Sequence, residues 1–589
     1  MALPIEDYAL VGDRGTSALI GRDGSVDWLC LPRFDSPACF AALLGAPEHG
    51  RWLLAPAADE GVTATRRYVG NSAILETTFA TPTGVLVLRD VMPLGDGRAD
   101  LVRTVRCTEG SVRVRHEWVV RFDYGRVRPW VARQQVGGET VIVATAGPDK
   151  LMLRGPRLPR AVDGHHVDEF DLHADEDMTF STTWVRSWRV LPEPVPFDDR
   201  IEATRLDHER WAATCIDDVP HADLVRRSLL TLRLMTHAET GGIVAAPTTS
   251  LPEAFGGERN WDYRYCWLRD AALTLESLLA VGYTDEASDW RDWLLRAVAG
   301  DPEDLQIMYA VDGGRQLPER VLDHLPGYEH SQPVRIGNAA VNQRQTDVLG
   351  EVMIALEDAR SAGINESTQS WALQRSLVED LAKHWDQPDH GLWEIRGEPR
   401  HFTHSRVMVW VAFDRAVKAV EQHGLDGPVE QWRGLRDRVR AQVLDKGYDP
   451  TRGTFTQHYD TSEVDASLLN IPLVGFLPGD DERVLGTIRA VEEDLMHHGL
   501  LRRYRNQSGV DGLPGGEHPF LACSFWLVSA LAAAGRTEDA HALMDRLCAL
   551  TNDVGLLSEE YDVDSGRMAG NFPQAFSHLT LVQAALALR

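Results

Sequence analysis

The chain has 589 residues, of which 43% are hydrophobic and 25% are charged, as in a globular protein with a large core. Lys and Arg number 60 against 88 Asp and Glu, so the formal net charge is -28. This negative charge repels polyphosphate and anionic lipid, which excludes nucleic acid and membrane surfaces as expected partners and leaves a neutral or cationic small molecule.

From about residue 60 to 190, apolar and polar residues alternate with period two, and β-branched and aromatic side chains are frequent. This pattern predicts strands at 84–91, 111–122, 139–147 and 178–188. Glu109 and Gly110 lie between the first two and predict a hairpin turn. Many short strands with turns between them predict an antiparallel β-sandwich over residues 1–200.

Residues 191–200 contain three prolines and predict a linker, which we continue as a linker helix over 201–220. Beyond it the apolar period becomes 3.6, and several of the segments end in Gly, as helices prefer. So many apolar stripes in succession must close on one another, which predicts a helical bundle or toroid over 221–589. The predicted helical segments are 222–238, 270–283, 346–363, 370–385, 407–424, 431–447, 519–535 and 578–588.

The seven cysteines form no C-x-x-C pair, and their odd number argues for reduced thiols rather than a disulfide framework. The N-terminal residues lack the basic and apolar regions of a signal peptide. No apolar run approaches the roughly 18 residues of a membrane helix. We therefore expect a cytoplasmic protein.

The long segments between the helices carry most of the chemically distinctive residues. In residues 260–274, Arg269 and Asp270 follow a row of aromatic side chains that can stack on a sugar or a cation, while the ion pair can bind hydroxyl groups. From these residues alone, core aromatics and a helix-start ion pair remain an open alternative. The aromatics occupy every second position: Trp261, Tyr263, Tyr265 and Trp267.

Three acidic residues are candidates for catalysis. Glu394 follows Trp393 in a turn bounded by glycines. A carboxyl beside an indole lies in a setting of low dielectric constant, which raises its pKa and suits a general acid. Glu559 and Glu560 are neighbours, and in a strand only one of them can face a pocket. A surface acid and a solvated acidic turn remain open alternatives. Two carboxyls across a bond are the arrangement for glycoside hydrolysis, one candidate chemistry among several.

Other motifs are weak. His401 and His404 are three residues apart, but no further ligand completes a metal site, so we expect no metal. The sequence has no glycine-rich dinucleotide loop and no Walker motif, and Ser524 lacks the flanking glycines of a nucleophile elbow. We expect no cofactor.

Seven segments of the sequence resemble segments of glycoside hydrolase family 15, the glucoamylase and bacterial trehalase-like group, and they occur in the same order as in that family. The resemblance covers essentially the whole chain. The first segment, GDRGTSALIGRDGSVDWLCLPRFDSPACFAALLG, is similar to the trehalase-like N-terminal region of that group. The segments are 12–45, 241–253, 260–274, 335–351, 391–397, 513–536 and 557–562.

The resemblance implies an N-terminal β-sandwich followed by a catalytic (α/α)6 barrel. It implies that Glu394 is the general acid and Glu559 the general base, with an exchange of role between Glu559 and Glu560 left open. It also implies a substrate pocket in which Arg503 and Tyr504 contact the sugar, although Arg502 and Arg505 offer other alignments. The remaining residues of that pocket are Tyr263, Trp267, Arg269, Asp270 and Trp393.

The activity implied is that of an inverting, exo-acting α-glucoside hydrolase that releases β-glucose and needs no metal. The lack of a secretion signal and of a C-terminal starch-binding module favours trehalose, a small neutral saccharide, over α-1,4 or α-1,6 oligoglucosides, which stay open. The residues that select the linkage are expected in loops such as 313–333. A catalytically inactive carbohydrate-binding protein and a phosphorylase are further alternatives. A homo-oligomer is compatible with the sequence.

Overall fold

The computed structural model describes residues 2–58, 60–95, 97–506, 509–513 and 515–589. Within them, fifteen strands occupy residues 8–186, and thirteen α-helices follow. The strands are β1 (Tyr8–Gly12), β2 (Ser17–Gly21), β3 (Ser25–Cys30), β4 (Ala38–Phe40), β5 (Arg51–Pro56), β6 (Thr63–Tyr68), β7 (Leu75–Thr81), β8 (Gly84–Val91), β9 (Ala99–Val119), β10 (Trp130–Val136), β11 (Glu139–Ala146), β12 (Asp149–Arg154), β13 (Arg160–Val162), β14 (His165–His173) and β15 (Asp177–Arg186).

The strands form two antiparallel layers that share the long strand β9. The C-terminal half of β9 pairs with β5 and β14, and this layer runs β1-β2-β3-β5-β9-β14-β13. Its N-terminal half pairs with β8 and β15, and this layer runs β6-β7-β8-β9-β15-β12-β11-β10. The side chains of Trp28, Trp52 and Trp118 are fully buried in the sandwich core. The predicted β-sandwich is confirmed.

The predicted hairpin turn at Glu109 and Gly110 is wrong. Both residues lie inside β9, where the pairing with β8 shifts by one residue. Gly110 has a φ of 69°, and a Cβ there would lie 2.1 Å from the carbonyl oxygen of Thr83. The register shift leaves Thr108 without a partner in β8, so a bulge just before Gly110 marks the point where the continuous strand β9 passes from one layer into the other, where the sequence signal suggested a reversal.

Twelve of the helices form two concentric rings, with contacts of α3, α5, α7, α9, α11 and α13 closing the inner ring. This is the predicted (α/α)6 barrel. Helix α1 precedes it and overlaps the predicted linker helix. The helices are α1 (Asp198–Ala212), α2 (Ala222–Leu234), α3 (Leu268–Ala280), α4 (Thr284–Ala297), α5 (Val348–Ser361), α6 (Thr368–His384), α7 (Thr403–His423), α8 (Val429–Lys446), α9 (Asn470–Leu473), α10 (Glu482–Leu495), α11 (Leu521–Ala533), α12 (Thr537–Cys548) and α13 (Ala575–Ala587).

Burial separates the two rings. In α11 every residue from Leu521 to Leu531 is buried, as expected for a helix enclosed on all sides. In α8 the buried residues are Trp432, Leu435, Val439 and Val443, which lie three or four apart on one face. Inner helix α11 is thus apolar all round, while outer helix α8 buries one stripe and leaves the rest polar.

Short two-stranded ribbons lie in the loops between the helices and shape one end of the barrel. Among the described residues, no helix is both long and apolar enough to cross a membrane. The ribbon strands are β16 (Cys266–Trp267), β17 (Met308–Tyr309), β18 (Arg320–Val321), β19 (Arg335–Ile336), β20 (Tyr448–Asp449), β21 (Thr454–Phe455), β22 (Met496–His497), β23 (Leu500–Leu501), β24 (Glu560–Asp562) and β25 (Arg567–Ala569).

The sandwich packs directly against the barrel loops. The indole N–H of Trp28 donates to the carbonyl oxygen of Pro247 at 2.8 Å. The fully buried Arg264 donates to the hydroxyl of Tyr124 at 2.9 Å and forms an ion pair with Asp262 at 2.7 Å. Barrel residues also enter the sandwich core, namely Leu251, Leu322, Leu325, Tyr328, Met568 and Phe572.

Candidate active site

A central pocket opens at one end of the barrel and encloses about 730 Å³, its open mouth included. All nine site residues predicted from the sequence line it: Tyr263, Trp267, Arg269, Asp270, Trp393, Glu394, Arg503, Tyr504 and Glu559. The structure also places residues there that the sequence did not indicate, among them Glu253, Arg259, Asn338, Arg396, Phe520, Gln574 and Phe576.

The loop before α3 supplies the aromatic wall. The rings of Tyr263 and Trp267 meet edge to face, with centroids 5.4 Å apart. Trp261 also lines the pocket, whereas Tyr265 packs in the barrel core. Alternation along a strand would have put all four aromatics on one face, but here only residues 266 and 267 are a regular strand. The irregular backbone before them turns Tyr265 away.

Arg269 and Asp270 open α3 and form a buried ion pair, with Nε of Arg269 2.7 Å from Oδ1 of Asp270. The guanidinium also donates to the carbonyl oxygen of Leu392 at 2.9 Å and lies 3.9 Å from Oε1 of Glu394. These contacts fix the geometry of a donor fork and an acceptor in the pocket wall, as recognition of sugar hydroxyls requires.

Glu394 lies in the turn after Trp393 and has a left-handed backbone, with a φ of 56°. A non-glycine residue in this region is strained, and such strain concentrates at functional sites. The indole N–H of Trp267 donates to Oε1 of Glu394 at 2.5 Å. Burial raises the pKa of Glu394, while the charge of Arg269 and the bond from Trp267 oppose that rise.

Glu559 faces the same pocket from the segment before β24. The hydroxyl of Tyr263 donates to its Oε1 at 2.7 Å, and the backbone N–H of Asn571 donates to its Oε2 at 3.3 Å. Gly570 packs against it so closely that a Cβ there would lie 2.6 Å from Oε2. Burial, followed by the negative charge of Glu253, raises the pKa of Glu559. Arg503 and the bond from Tyr263 favour the ionised form.

Glu560 points away from the pocket, as alternation in a strand requires. It lies in β24, and its Oε2 accepts the backbone N–H of His518 at 2.8 Å. Its other oxygen lies 3.4 Å from Nη2 of Arg503. Of the two adjacent glutamates, Glu559 is therefore the one that lines the cavity.

A buried network of charges forms another part of the wall. Arg503 donates to Glu517 at 2.6 and 3.0 Å and to Glu253 at 2.8 Å. Arg259 pairs with Glu517 at 3.0 Å and with Asp511 at 2.6 Å. The hydroxyl of Tyr504 donates to the same carboxylate of Asp511 at 3.1 Å. Two guanidinium groups are thus shared among several carboxylates, which rigidly orients Arg503 and Tyr504 toward the cavity.

The sequence contains only a partial indication of this network. Glu253 and Glu517 both lie in segments that carry the family resemblance, but neither stands beside an aromatic or a second acid. Arg259 and Glu517 are 258 positions apart, so their ion pair exists only in the folded chain. Glu253, Glu517 and Glu560 bring their oxygens within 4.8 Å of one another, and the guanidinium of Arg503 bonds two of them and approaches the third.

Two buried carboxyls on separate donors, an ion pair and an aromatic wall lie at the mouth of a double ring of helices, an arrangement typical of a glycoside hydrolase on an (α/α)6 barrel. Within this class, the chain belongs to family 15 of the glycosyl hydrolases, whose family profile matches residues 219–586. The profile of the trehalase-like N-terminal domain matches residues 1–170.

Full-length relatives and solved structures agree with this membership. A trehalase from Mycobacterium tuberculosis is 39% identical over 610 residues, which cover 99% of this chain and 89% of the relative. A trehalase from Thermoplasma acidophilum is 35% identical, over 96% of this chain and 97% of the relative. A bacterial glucoamylase solved with acarbose superposes with a TM-score of 0.71 at 12% identity, over 99% and 94% of the two chains, which is a likeness of fold.

Proposed function

We propose that the chain is an inverting, exo-acting glucohydrolase that cleaves α,α-trehalose into two glucose molecules. One observation carries the proposal. Two aromatic residues of a single segment each hold a different carboxyl, Trp267 that of Glu394 and Tyr263 that of Glu559. The two carboxyls thus line one pocket on separate donors, and the proposal requires a gap between them for the attacking water, as in an inverting hydrolase.

In this proposal Glu394 is the general acid. Its buried setting raises its pKa, so the carboxyl carries a proton that it can give to the oxygen between the two glucose units. After the transfer, the carboxylate is stabilised by the N–H of Trp267 and by the nearby charge of Arg269. The leaving glucose therefore departs as a neutral alcohol.

Glu559 is the general base. Its ionised form accepts the hydroxyl of Tyr263 and the N–H of Asn571, and it takes a proton from the water that attacks the anomeric carbon. Because burial and Glu253 raise its pKa, the carboxylate forms only at a pH above the ordinary range of a glutamate. Since the pKa of Glu559 is raised to about 8, we expect the rate to rise with pH as Glu559 ionises and to fall again where Glu394 loses its proton.

The substrate is assigned from the relatives. Proteins named trehalase match the chain over nearly its whole length, including the N-terminal domain, and this supports trehalose over oligoglucosides. A cytosolic location is proposed with it, because all seven cysteines are free and buried, as in proteins of reducing compartments.

The test offers trehalose, maltose and isomaltose in parallel and follows the products by NMR. We expect trehalose to be cleaved fastest, with one of the two glucose molecules appearing first as the β-anomer. Glu394→Gln and Glu559→Gln should each lower kcat by about 10²–10⁴-fold. Faster cleavage of another disaccharide would overturn the substrate, and two α-anomers would overturn inversion. Binding without turnover would indicate an inactive barrel, and a sugar phosphate formed only with added phosphate would indicate a phosphorylase.

A further inference from the structure

A second cavity, which we call the axial cavity, lies inside the inner ring and encloses about 1290 Å³, its open mouth included. Residues of all six inner helices line it. Helices α3 and α13 begin at the central pocket with Arg269 and Phe576 and end beside the axial cavity with Ala280 and Ala587. Leu392 lines both cavities, so the axial cavity reaches the back of the central pocket.

The lining of the axial cavity is acidic. Glu276 of α3 and Glu351 and Asp358 of α5 all face it. Asp358 lies seven positions after Glu351, which places them about 10 Å apart along the helix axis. Arg415 also lines the cavity; it forms an ion pair with Asp414 at 2.7 Å, and its charge favours the ionised forms of Asp358 and Glu276. Burial raises the pKa of Glu276 to about 8 and raises those of Glu351 and Asp358.

Two of the lining side chains are deeply buried and lack partners. Glu351 is 6% exposed, and its carboxyl makes no hydrogen bond or ion pair with any residue that the structure describes. His404 is 5% exposed, and its Nδ1 atom is buried without a hydrogen-bond partner. Burial lowers the pKa of His404 to about 3, so this imidazole is neutral and adds no compensating charge. Buried polar groups are normally paired, so these two indicate a ligand.

The chemistry of the cavity selects that ligand. The C-terminal ends of α3 and α13 lie at the cavity, and helix C-termini carry partial negative charge that favours cations. Leu273, Ile354 and Leu586 give the walls an apolar surface for methylene groups. The three carboxylates do not converge within reach of one metal ion, so charges spaced along a chain suit them better.

We propose that the axial cavity binds a linear aliphatic polyammonium ion. Its ammonium groups pair in turn with Glu351, Glu276 and Asp358, and its methylene groups lie against the apolar walls. This site is separate from the central pocket, and the proposal does not depend on the activity assigned there.

Isothermal titration of the full-length protein with spermidine tests the proposal, with the uncharged diol of equal chain length as the ligand control. We expect saturable one-site binding of spermidine and none of the diol. Glu351→Gln should weaken binding by at least about tenfold, since it removes one partner of a buried charge pair. Glu538 is an exposed residue of α12, and Glu538→Gln removes the same charge. This variant should bind spermidine with the affinity of the unaltered protein.

Other variants decide where the ion binds. Glu394→Gln in the central pocket should leave the affinity unchanged, whereas Ala280→Trp should block the mouth of the axial cavity and abolish binding. Ala280 is exposed, so this replacement is compatible with an intact fold, which a melting curve checks. The proposal is overturned if the unaltered protein does not bind spermidine, if Glu538→Gln or Glu394→Gln weakens binding as much as Glu351→Gln, or if Ala280→Trp still binds.

Discussion

Replacing Tyr263 by Phe removes one hydroxyl, and its effect can be worked out from a single contact. That hydroxyl donates to Oε1 of Glu559 at 2.7 Å in a buried setting. A hydrogen bond to a charged group contributes about 1.5–3 kcal/mol, and one pKa unit corresponds to about 1.4 kcal/mol. Because the bond favours the ionised carboxyl, its loss should raise the pKa of Glu559 by about one to two units.

The assay is the pH dependence of kcat/KM for trehalose. The acidic limb of the profile should move to higher pH by that amount, so the rate on this limb falls about ten- to a hundredfold at a given pH. Tyr265→Phe is the matched control, because Tyr265 lies two positions away and packs in the barrel core. An acidic limb that stays in place or moves to lower pH would refute the link between Tyr263 and the base.

Three further variants test other contacts. Glu253→Gln removes the charge that, after burial, most raises the pKa of Glu559, so the acidic limb of the same profile should move to lower pH. Trp267→Phe removes a donor to the carboxylate of Glu394, so the pKa of that acid should rise and the alkaline limb should move to higher pH. Arg264→Met leaves Asp262 buried and unpaired, which should cost about 3–5 kcal/mol in urea unfolding, whereas Arg113→Met, which breaks an exposed pair with Glu169, should leave the midpoint in place.

Much of the fold follows from periodicity, because burial imposes a regular spacing on the sequence. The run predicted at 84–91 coincides with β8, and the run at 139–147 exceeds β11 by one residue. The eight predicted helical segments match α2, α3, α5, α6, α7, α8, α11 and α13.

The helices that were missed are three charge-rich helices of the outer ring and one very short helix. Helices α4, α10 and α12 belong to the outer ring and bury one narrow face among many charged residues. Helix α9 has four residues, one of them Pro472. The bulge at Thr108, close to Gly110, was predicted as a turn at Glu109 and Gly110, because a glycine after a polar residue has the same local signature in both.

The candidate site was predictable only through family resemblance. Without the family resemblance, Glu394 and Glu559 are two of 88 acidic residues, and nothing in their spacing predicts that they share a cavity. Once the ordered segments are taken together, every predicted residue falls on the central pocket. Their catalytic roles stay predictions, which the variants above test.

The entry of barrel loops into the sandwich core has a consequence for the protein as a whole. The loop residues Met568 and Phe572, which flank Gly570 beside Glu559, pack among the side chains of the first domain. An isolated barrel would expose these apolar groups to water and lose the support behind one wall of the cavity. The sandwich and the barrel must therefore fold, unfold and accumulate substitutions as one unit. A chain shortened to residues 219–586, the part that matches the family profile, would be an incomplete enzyme.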